Sequence, residues 1–230
     1  MAKALTKLET TSAEIDNPTL QSAVQAFGNT TQTALDNLAY EFAKDLRDTF
    51  AARGDTIEGR PPTLTIGLLT FQINIAARKG QWFYGKDPLT KPIPLSLAGI
   101  VKAYDRQVKR IVDRTIDAPA FVEELRTAWQ HSIDKRSRRP GEGRIGIVEA
   151  HGQLTLNRQT NRFWNAPSRA TFKDYERVLF VRDLALLQGM GSQPFKLGVA
   201  TKSQADQASR SIWLPTSALD GQYYSDITFD

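Results

Sequence analysis

The residues best suited to chemistry form a cluster of cations between Asp134 and Arg144, where the sequence reads DKRSRRPGEGR. Five basic side chains crowd the end of a predicted helix and a loop rich in proline and glycine: Lys135, Arg136, Arg138, Arg139 and Arg144. Lysine and arginine concentrated in this way attract phosphate groups or acidic surfaces. The cluster therefore predicts a binding role rather than a catalytic one.

Two further basic series extend this prediction. One lies on a predicted helix and consists of Lys102, Arg106 and Lys109. The other lies downstream, beside Trp164, and consists of Arg158, Arg162, Arg169, Lys173 and Arg177. Each neutralised phosphate releases counterions, so binding of DNA or RNA is expected to be salt-sensitive and largely independent of sequence. Trp164 adds a ring that can stack on unpaired bases. The hypothesis assumes that the three basic elements share one face.

A second candidate is a pair of residues with acid–base character, Glu149 and His151. A histidine beside a carboxylate can transfer protons near neutral pH or bind a metal. The chain has two histidines, His131 and His151, and neither lies at ligand spacing from clustered carboxylates. A metal-dependent hydrolase or nuclease using Glu149 and His151 is therefore an alternative prediction, and we assign no catalytic residue and no metal site.

The glycine-rich stretch GEGRIGIV, residues 141–148, matches the phosphate-binding pattern G-x-G-x-x-G-x-V. In dinucleotide-binding folds a strand precedes such glycines and a helix follows them, whereas in kinases a lysine follows on a neighbouring strand. Here the patterns predict a helix before the glycines and a hairpin after them. We therefore predict no nucleotide cofactor.

Composition limits the class of protein. At 230 residues and 40% hydrophobic content, the chain is long enough for one large domain or two small ones. It has no cysteine, which excludes disulfides, thiolate metal sites and cysteine nucleophiles. It has no run of about 18 apolar residues and no apolar signal-peptide region near its start. We expect a soluble, cytoplasmic protein with no membrane contact.

The net charge of +5 conceals regions of opposite character. Residues 1–60 hold nine acidic and six basic side chains, whereas residues 157–182 hold six basic and two acidic. We expect the acidic N-terminal helix to dock a protein partner while the basic half contacts nucleic acid. The spacing of Leu20, Val24, Phe27 and Thr31 is that of a short coiled-coil seam, although packing in the chain's own core is the favoured interpretation. Alternatively, the arginines pair with acids across subunit interfaces, and the protein is a scaffold with protein contacts only.

The elements that must position these residues follow from hydrophobic periodicity. Helical spacing predicts a long helix from Asn17-Pro18 to Gly54, with two helices divided at the weak section 28–33 as the alternative. Alternation then predicts an antiparallel meander over 62–85. On the meander, Trp82 and Tyr84 share a face that we expect to be core. Helices are also predicted over 97–116, 119–133 and 167–188, the last one buried, with a hairpin over 144–156. The fold class is therefore α+β.

The predicted domain organisation has three parts. These are a flexible tail (1–16), a helical and meander region (17–133) and an α+β region (145–230). Residues 134–144 form the boundary, unless the last two regions make one continuous domain. The leading hypothesis is a non-enzymatic, nucleic-acid-binding subunit of a larger assembly, with the choice between DNA and RNA left open.

Overall fold

The structure is a computed structural model that describes Lys7, Thr10 and residues 17–138, 140–191 and 193–229. The predicted flexible tail lies outside these residues except for Lys7 and Thr10. The described chain forms two compact units. The first contains the residues up to Tyr84 together with Pro88–Val108, and the second contains Gly85–Asp87 together with the residues from Lys109 onward.

Helix α1, Pro18–Ala51, is the longest element of the first unit. It begins where the sequence predicts, because the Asn17 side chain accepts hydrogen bonds from the amides of Thr19 and Leu20, at 3.0 and 3.2 Å. Its second half packs into the core through a stripe of buried residues: Leu35, Ala39, Ala43, Leu46 and Phe50. Among the residues that the structure describes, no helix is both long and apolar enough to cross a membrane.

The predicted antiparallel meander over 62–85 is confirmed. It consists of β2 (Thr63–Ile66), β3 (Leu69–Asn74) and β4 (Lys79–Tyr84), preceded by β1 (Glu58–Arg60). Two short strands complete this sheet, β5 (Asp87–Pro88) and β6 (Ile93–Pro94). Gly67 turns the chain between β2 and β3 with a φ of 56°, a conformation that glycine adopts without strain.

Aromatic rings fill the core of the first unit. Trp82 and Tyr84 are buried, as predicted from their shared face. The Trp82 ring lies 4.8 Å from the Phe71 ring and 5.2 Å from the Tyr104 ring, centroid to centroid. Tyr104 belongs to helix α2, Leu97–Gln107, which continues as a π-helical turn, Val108–Val112. The ring of Phe50, on α1, lies 5.0 Å from the Tyr104 ring and 6.4 Å from the Trp82 ring. These rings attach α1 and α2 to one face of the meander.

The second unit combines helices with a smaller antiparallel sheet. Its main helices are α3 (Ala118–Asp134), α4 (Ile147–Asn157), α5 (Asn161–Asn165), α6 (Arg177–Gly189) and α7 (Lys202–Ala205). Its strands are β7 (Ile145–Gly146), β8 (Phe195–Val199), β9 (Ile212–Pro215) and β10 (Gly221–Phe229). The long strand β10 pairs with the other three. The α+β class is confirmed.

Two local predictions in the second unit are wrong. The segment 144–156, predicted as a hairpin, is mostly helix α4, because Ile147, Ala150 and Leu154 are buried at helical spacing. The hairpin of this unit is instead formed by β9 and β10. The helix predicted from Pro167 begins only at Arg177, ten residues later.

Candidate nucleic-acid interface

The predicted phosphate-binding residues are divided between the two units. Lys102 and Arg106 lie on α2 in the first unit, whereas Lys109 and all later cations lie in the second. Lys102 and Lys109 are exposed and have no described side-chain partner, and Arg106 Nε donates to the Lys102 carbonyl at 3.3 Å. A single basic track formed by all three series remains a prediction.

Much of the loop 134–144 makes intramolecular contacts. Lys135 Nζ donates to Gln153 Oε1 at 2.5 Å. Arg136 donates to the Ser132 carbonyl at 2.7 Å and to Glu149 Oε2 at 2.6 Å. Arg144 lies 2.7 Å from Glu142 Oε2. Arg138 is exposed without a described partner, and Arg139 lies outside the described residues. Several of these cations therefore hold the fold and present less free charge than the sequence indicates.

Helices α3 and α4 run antiparallel and are joined along one edge by a polar ladder. Its rungs pair Arg136 with Glu149, Lys135 with Gln153, His131 with Asn157 and Glu124 with Arg158. At the last rung, Arg158 Nε lies 2.9 Å from Glu124 Oε2, and the guanidinium lies 4.0 Å above the centre of the Tyr175 ring. Arg158, predicted to bind phosphate, thus bridges three segments of its own unit.

Arg177 is also committed to the fold. Its guanidinium donates to the Ala208 carbonyl and, at 2.6 Å, to the Ser211 carbonyl, and it lies 3.4 Å from Asp87 Oδ1. Burial raises the pKa of Asp87, and the Arg177 charge acts in the opposite direction. This arginine secures the start of α6 to the segment before β9, so its role is structural.

Glu149 and His151 contact different parts of the unit. Glu149 pairs with Arg136, whereas His151 Nε2 donates to the Tyr175 carbonyl at 2.6 Å and its ring stacks on Phe180, centroids 4.8 Å apart. Burial lowers the pKa of His151. Among the described residues, no group of three or more histidine, cysteine or acidic side chains could hold a metal ion. The geometry therefore favours a structural role for His151.

Three exposed cations lie on a segment that we name the basic–aromatic loop, residues 160–173, which begins with the short helix α5. Buried Gln159 closes it, since its side-chain amide bonds both backbone groups of Lys173, the carbonyl at 2.7 Å and the amide at 2.8 Å. Within the loop, Thr171 Oγ1 donates to the Ala166 carbonyl at 2.9 Å. A compact loop with adjacent ends presents its side chains from a fixed base.

The basic–aromatic loop contains three cations and no carboxylate. Arg162, Arg169 and Lys173 are exposed, and none of their side chains has a described partner. The Phe163 ring lies 5.2 Å from the Trp164 ring and 5.6 Å from the Phe172 ring, which brings the two ends of the loop together. Trp164 is 56% exposed and Phe172 39% exposed. The loop thus carries both free cations and accessible aromatic rings.

Sequence reasoning named Arg162, Trp164, Arg169 and Lys173 but placed the last two on a helix. It missed Phe172 as a loop residue. Pro167-Ser168 is the sequence signal that marks a turn, and the absence of carboxylates across 160–173 is the signal that its cations lack local partners.

Comparisons with protein-family models, with curated proteins and with solved structures gave no match for this chain.

Proposed function

We propose that this protein is a non-enzymatic subunit that binds single-stranded nucleic acid through the basic–aromatic loop. Arg162, Arg169 and Lys173 contact the phosphate backbone, and Trp164 stacks on an unpaired base. The remaining surface is available to the partners of a larger assembly.

The observation that carries the proposal is the coincidence of free charge and exposed aromatic area in one short segment. Most other arginines of the second unit are paired with carboxylates or carbonyls. In the loop, three exposed cations flank a tryptophan that is 56% exposed. Non-specific single-strand binders combine these two ingredients, because cations follow the backbone while every base offers a flat face for stacking.

The preference for single strands follows from the aromatic component. Bases in a duplex are stacked on one another and offer no free face to a side chain, whereas unpaired bases can stack on tryptophan. Contacts to phosphate alone do not discriminate between strands or sequences. The proposal therefore includes tighter binding to single strands than to duplexes of equal length.

The test is equilibrium binding of the full chain to labelled oligonucleotides, followed by fluorescence anisotropy. Single-stranded and double-stranded DNA and RNA of one length are compared at roughly 50 and 200 mM salt. We expect dissociation constants in the micromolar range for single strands, weaker binding to duplexes, and a marked loss of affinity at the higher salt. Absence of binding at the lower salt, or equal affinity for single strands and duplexes, would reject the proposal.

A further inference from the structure

The first half of helix α1 is at most half-buried within the described residues. None of the residues from Pro18 to Ala34 is buried, and the buried stripe of the helix begins at Leu35. Large apolar side chains are nevertheless present, with Leu20 53% exposed, Phe27 62% and Leu38 57%. The helix therefore presents apolar area that the described residues of its own unit leave exposed.

These apolar residues form a regular stripe, which we name the α1 seam. The spacing along it alternates between four and three residues: Leu20, Val24, Phe27, Thr31, Ala34 and Leu38. Such a 4-3 alternation keeps one stripe of a helix facing a partner helix. At 3.6 residues per turn, the seam lies about 100° around the helix axis from the buried stripe. The seam is thus a second face, separate from the one that packs into the core.

The surface around the seam is uncharged from its start to Leu35, and charge appears only at its C-terminal end, where Asp36 and Glu41 lie near Leu38. No charged residue occurs from Asn17 to Leu35. Three of the four threonine hydroxyls are also internally satisfied, since Thr30 donates to the Ala26 carbonyl at 2.9 Å, Thr31 to the Phe27 carbonyl at 2.8 Å and Thr33 to the Asn29 carbonyl at 2.9 Å. Thr31 can therefore be buried on the seam without leaving a polar group unpaired.

The composition of this half of α1 makes packing necessary. Gly28, Asn29 and the four threonines of this half are weak helix formers. A solvent-exposed helix of this kind gains little from its own hydrogen bonds, and most helical stability in proteins comes from packing of an apolar face.

We propose that the occupant of the α1 seam is the α1 seam of a second copy of this chain, so that the protein forms a homodimer through paired N-terminal helices. The uncharged residues 17–35 offer nothing to attract a charged partner, and two copies of this part of α1 have no like charges to bring together. The second copy supplies a seam of the same length and the same 4-3 spacing. This inference does not depend on nucleic-acid binding.

Sedimentation equilibrium of the full chain, after nuclease digestion to remove bound nucleic acid, tests the proposal. The mass should rise with concentration from 25.7 kDa toward twice that value, over the micromolar range. Phe27→Glu should weaken self-association at least tenfold. Tyr40→Glu, a change on the opposite side of the same helix at a residue 52% exposed, should leave it unaltered. A monomer throughout, or equal effects of the two variants, would overturn the proposal.

Chemical cross-linking gives a second test of the dimer. Unlike Phe27→Glu, it places no charge on the seam. Because the chain has no cysteine, Thr31→Cys and Thr33→Cys each introduce a single thiol. The two threonines make the same hydrogen bond to the preceding turn, but only Thr31 lies on the seam. Thr31 lies near the middle of the seam. A short bis-maleimide should therefore cross-link Thr31→Cys into a covalent dimer at least fivefold faster than it cross-links Thr33→Cys. Equal rates would contradict the pairing.

Discussion

The guanidinium of Arg114 holds the buried carboxylate of Asp183 through two parallel hydrogen bonds. Arg114 Nε donates to Asp183 Oδ1 at 2.5 Å, and Nη2 donates to Oδ2 at 2.7 Å. The Tyr175 hydroxyl donates to the same Oδ2 at 2.5 Å. The Asp183 side chain is 1% exposed, so this pair fastens α6 to the chain that follows the π-helical turn. Burial raises the pKa of Tyr175, which keeps its hydroxyl protonated as a donor.

Removing the cation from this pair should destabilise the protein strongly. Arg114→Ala leaves the Asp183 carboxylate buried without its cation, a change that costs about 3–5 kcal/mol of unfolding free energy. Denaturant titration followed by tryptophan fluorescence measures the loss. Lys109→Ala, which removes an exposed cation without a described partner, should stay within about 0.5 kcal/mol of the unmodified chain. Equal stability of the two variants would show that the pair does not hold α6.

Protonation of His151 should make stability depend on pH. Burial lowers the pKa of His151 in the folded chain, so below its ordinary value of 6.5 the unfolded chain binds more protons than the folded one. The stability that comes from burying neutral His151 is complete above about pH 6.5. It is lost as pH falls toward the folded-state pKa, and the free energy of unfolding then drops by at most about 1.4 kcal/mol per pH unit. Denaturant titrations from pH 7.5 to 5 should show this loss, and His151→Gln should show a shallower decline. If the unmodified chain and His151→Gln showed the same pH dependence, the loss of stability would not come from His151.

Gln159 should control the shape of the basic–aromatic loop without carrying charge. Gln159→Ala removes both bonds to the Lys173 backbone, so residues 160–173 should become more susceptible to proteolysis and the chain should lose about 2 kcal/mol of stability. We also expect weaker binding of single strands, since the loop loses its fixed base. Gln130→Ala, which removes only an exposed hydrogen bond to Asp134, is the control and should change neither property. If residues 160–173 of Gln159→Ala were cleaved no faster than in the unmodified chain, Gln159 would not be the residue that closes the loop.

The sequence predicts those parts of the fold in which local signals agree with tertiary packing. Helix α1 and the meander were predicted because the Asn17-Pro18 cap, the helical spacing and the strict alternation point to the same elements. Helix α4 was missed because Ile145 and Ile147 alternate while Gly152 resembles a turn. Gly152 nevertheless lies inside the helix, at a cost of about 1 kcal/mol relative to alanine, which the packing of Ile147, Ala150 and Leu154 outweighs.

The candidate site was only partly predictable. Arg162 and Trp164 are adjacent in sequence, so their charge and aromatic character could be read directly. The contact between Phe163 and Phe172, and the closure of the loop by Gln159, join residues nine and fourteen positions apart through side-chain geometry. Periodicity carries no information on such contacts. Nor does charge counting distinguish Arg158, which is paired with Glu124, from Arg162, which has no described partner.

Trp164 should supply the stacking component of binding. Trp164→Ala should weaken single-strand binding by about 5- to 150-fold, the range expected for one stacked base, and should affect duplex binding less. Trp164→Phe keeps an aromatic face, so this variant should retain most of the affinity of the unmodified chain. Fluorescence anisotropy with equal-length single strands and duplexes measures both effects. Stacking would be contradicted if Trp164→Phe bound as weakly as Trp164→Ala, or if Trp164→Ala lost equal affinity for single strands and duplexes.

The central claim is that the cations of the basic–aromatic loop contact phosphate, and the salt dependence of binding tests it most directly. The loop triple variant is Arg162→Ala, Arg169→Ala and Lys173→Ala. A matched triple variant removes the same net charge at exposed lysines elsewhere: Lys44→Ala, Lys91→Ala and Lys202→Ala. Both are compared with the unmodified chain on one single-stranded oligonucleotide, as the slope of log affinity against log salt concentration.

Each phosphate contact to a single strand contributes roughly 0.7 to the steepness of that slope. We therefore expect the loop triple variant to reduce the steepness by about 2 and to bind weakly at low salt, while the matched triple variant keeps the unmodified slope. Equal slopes for the two triple variants would mean that only net charge matters, and would contradict the assignment of the loop as the nucleic-acid interface.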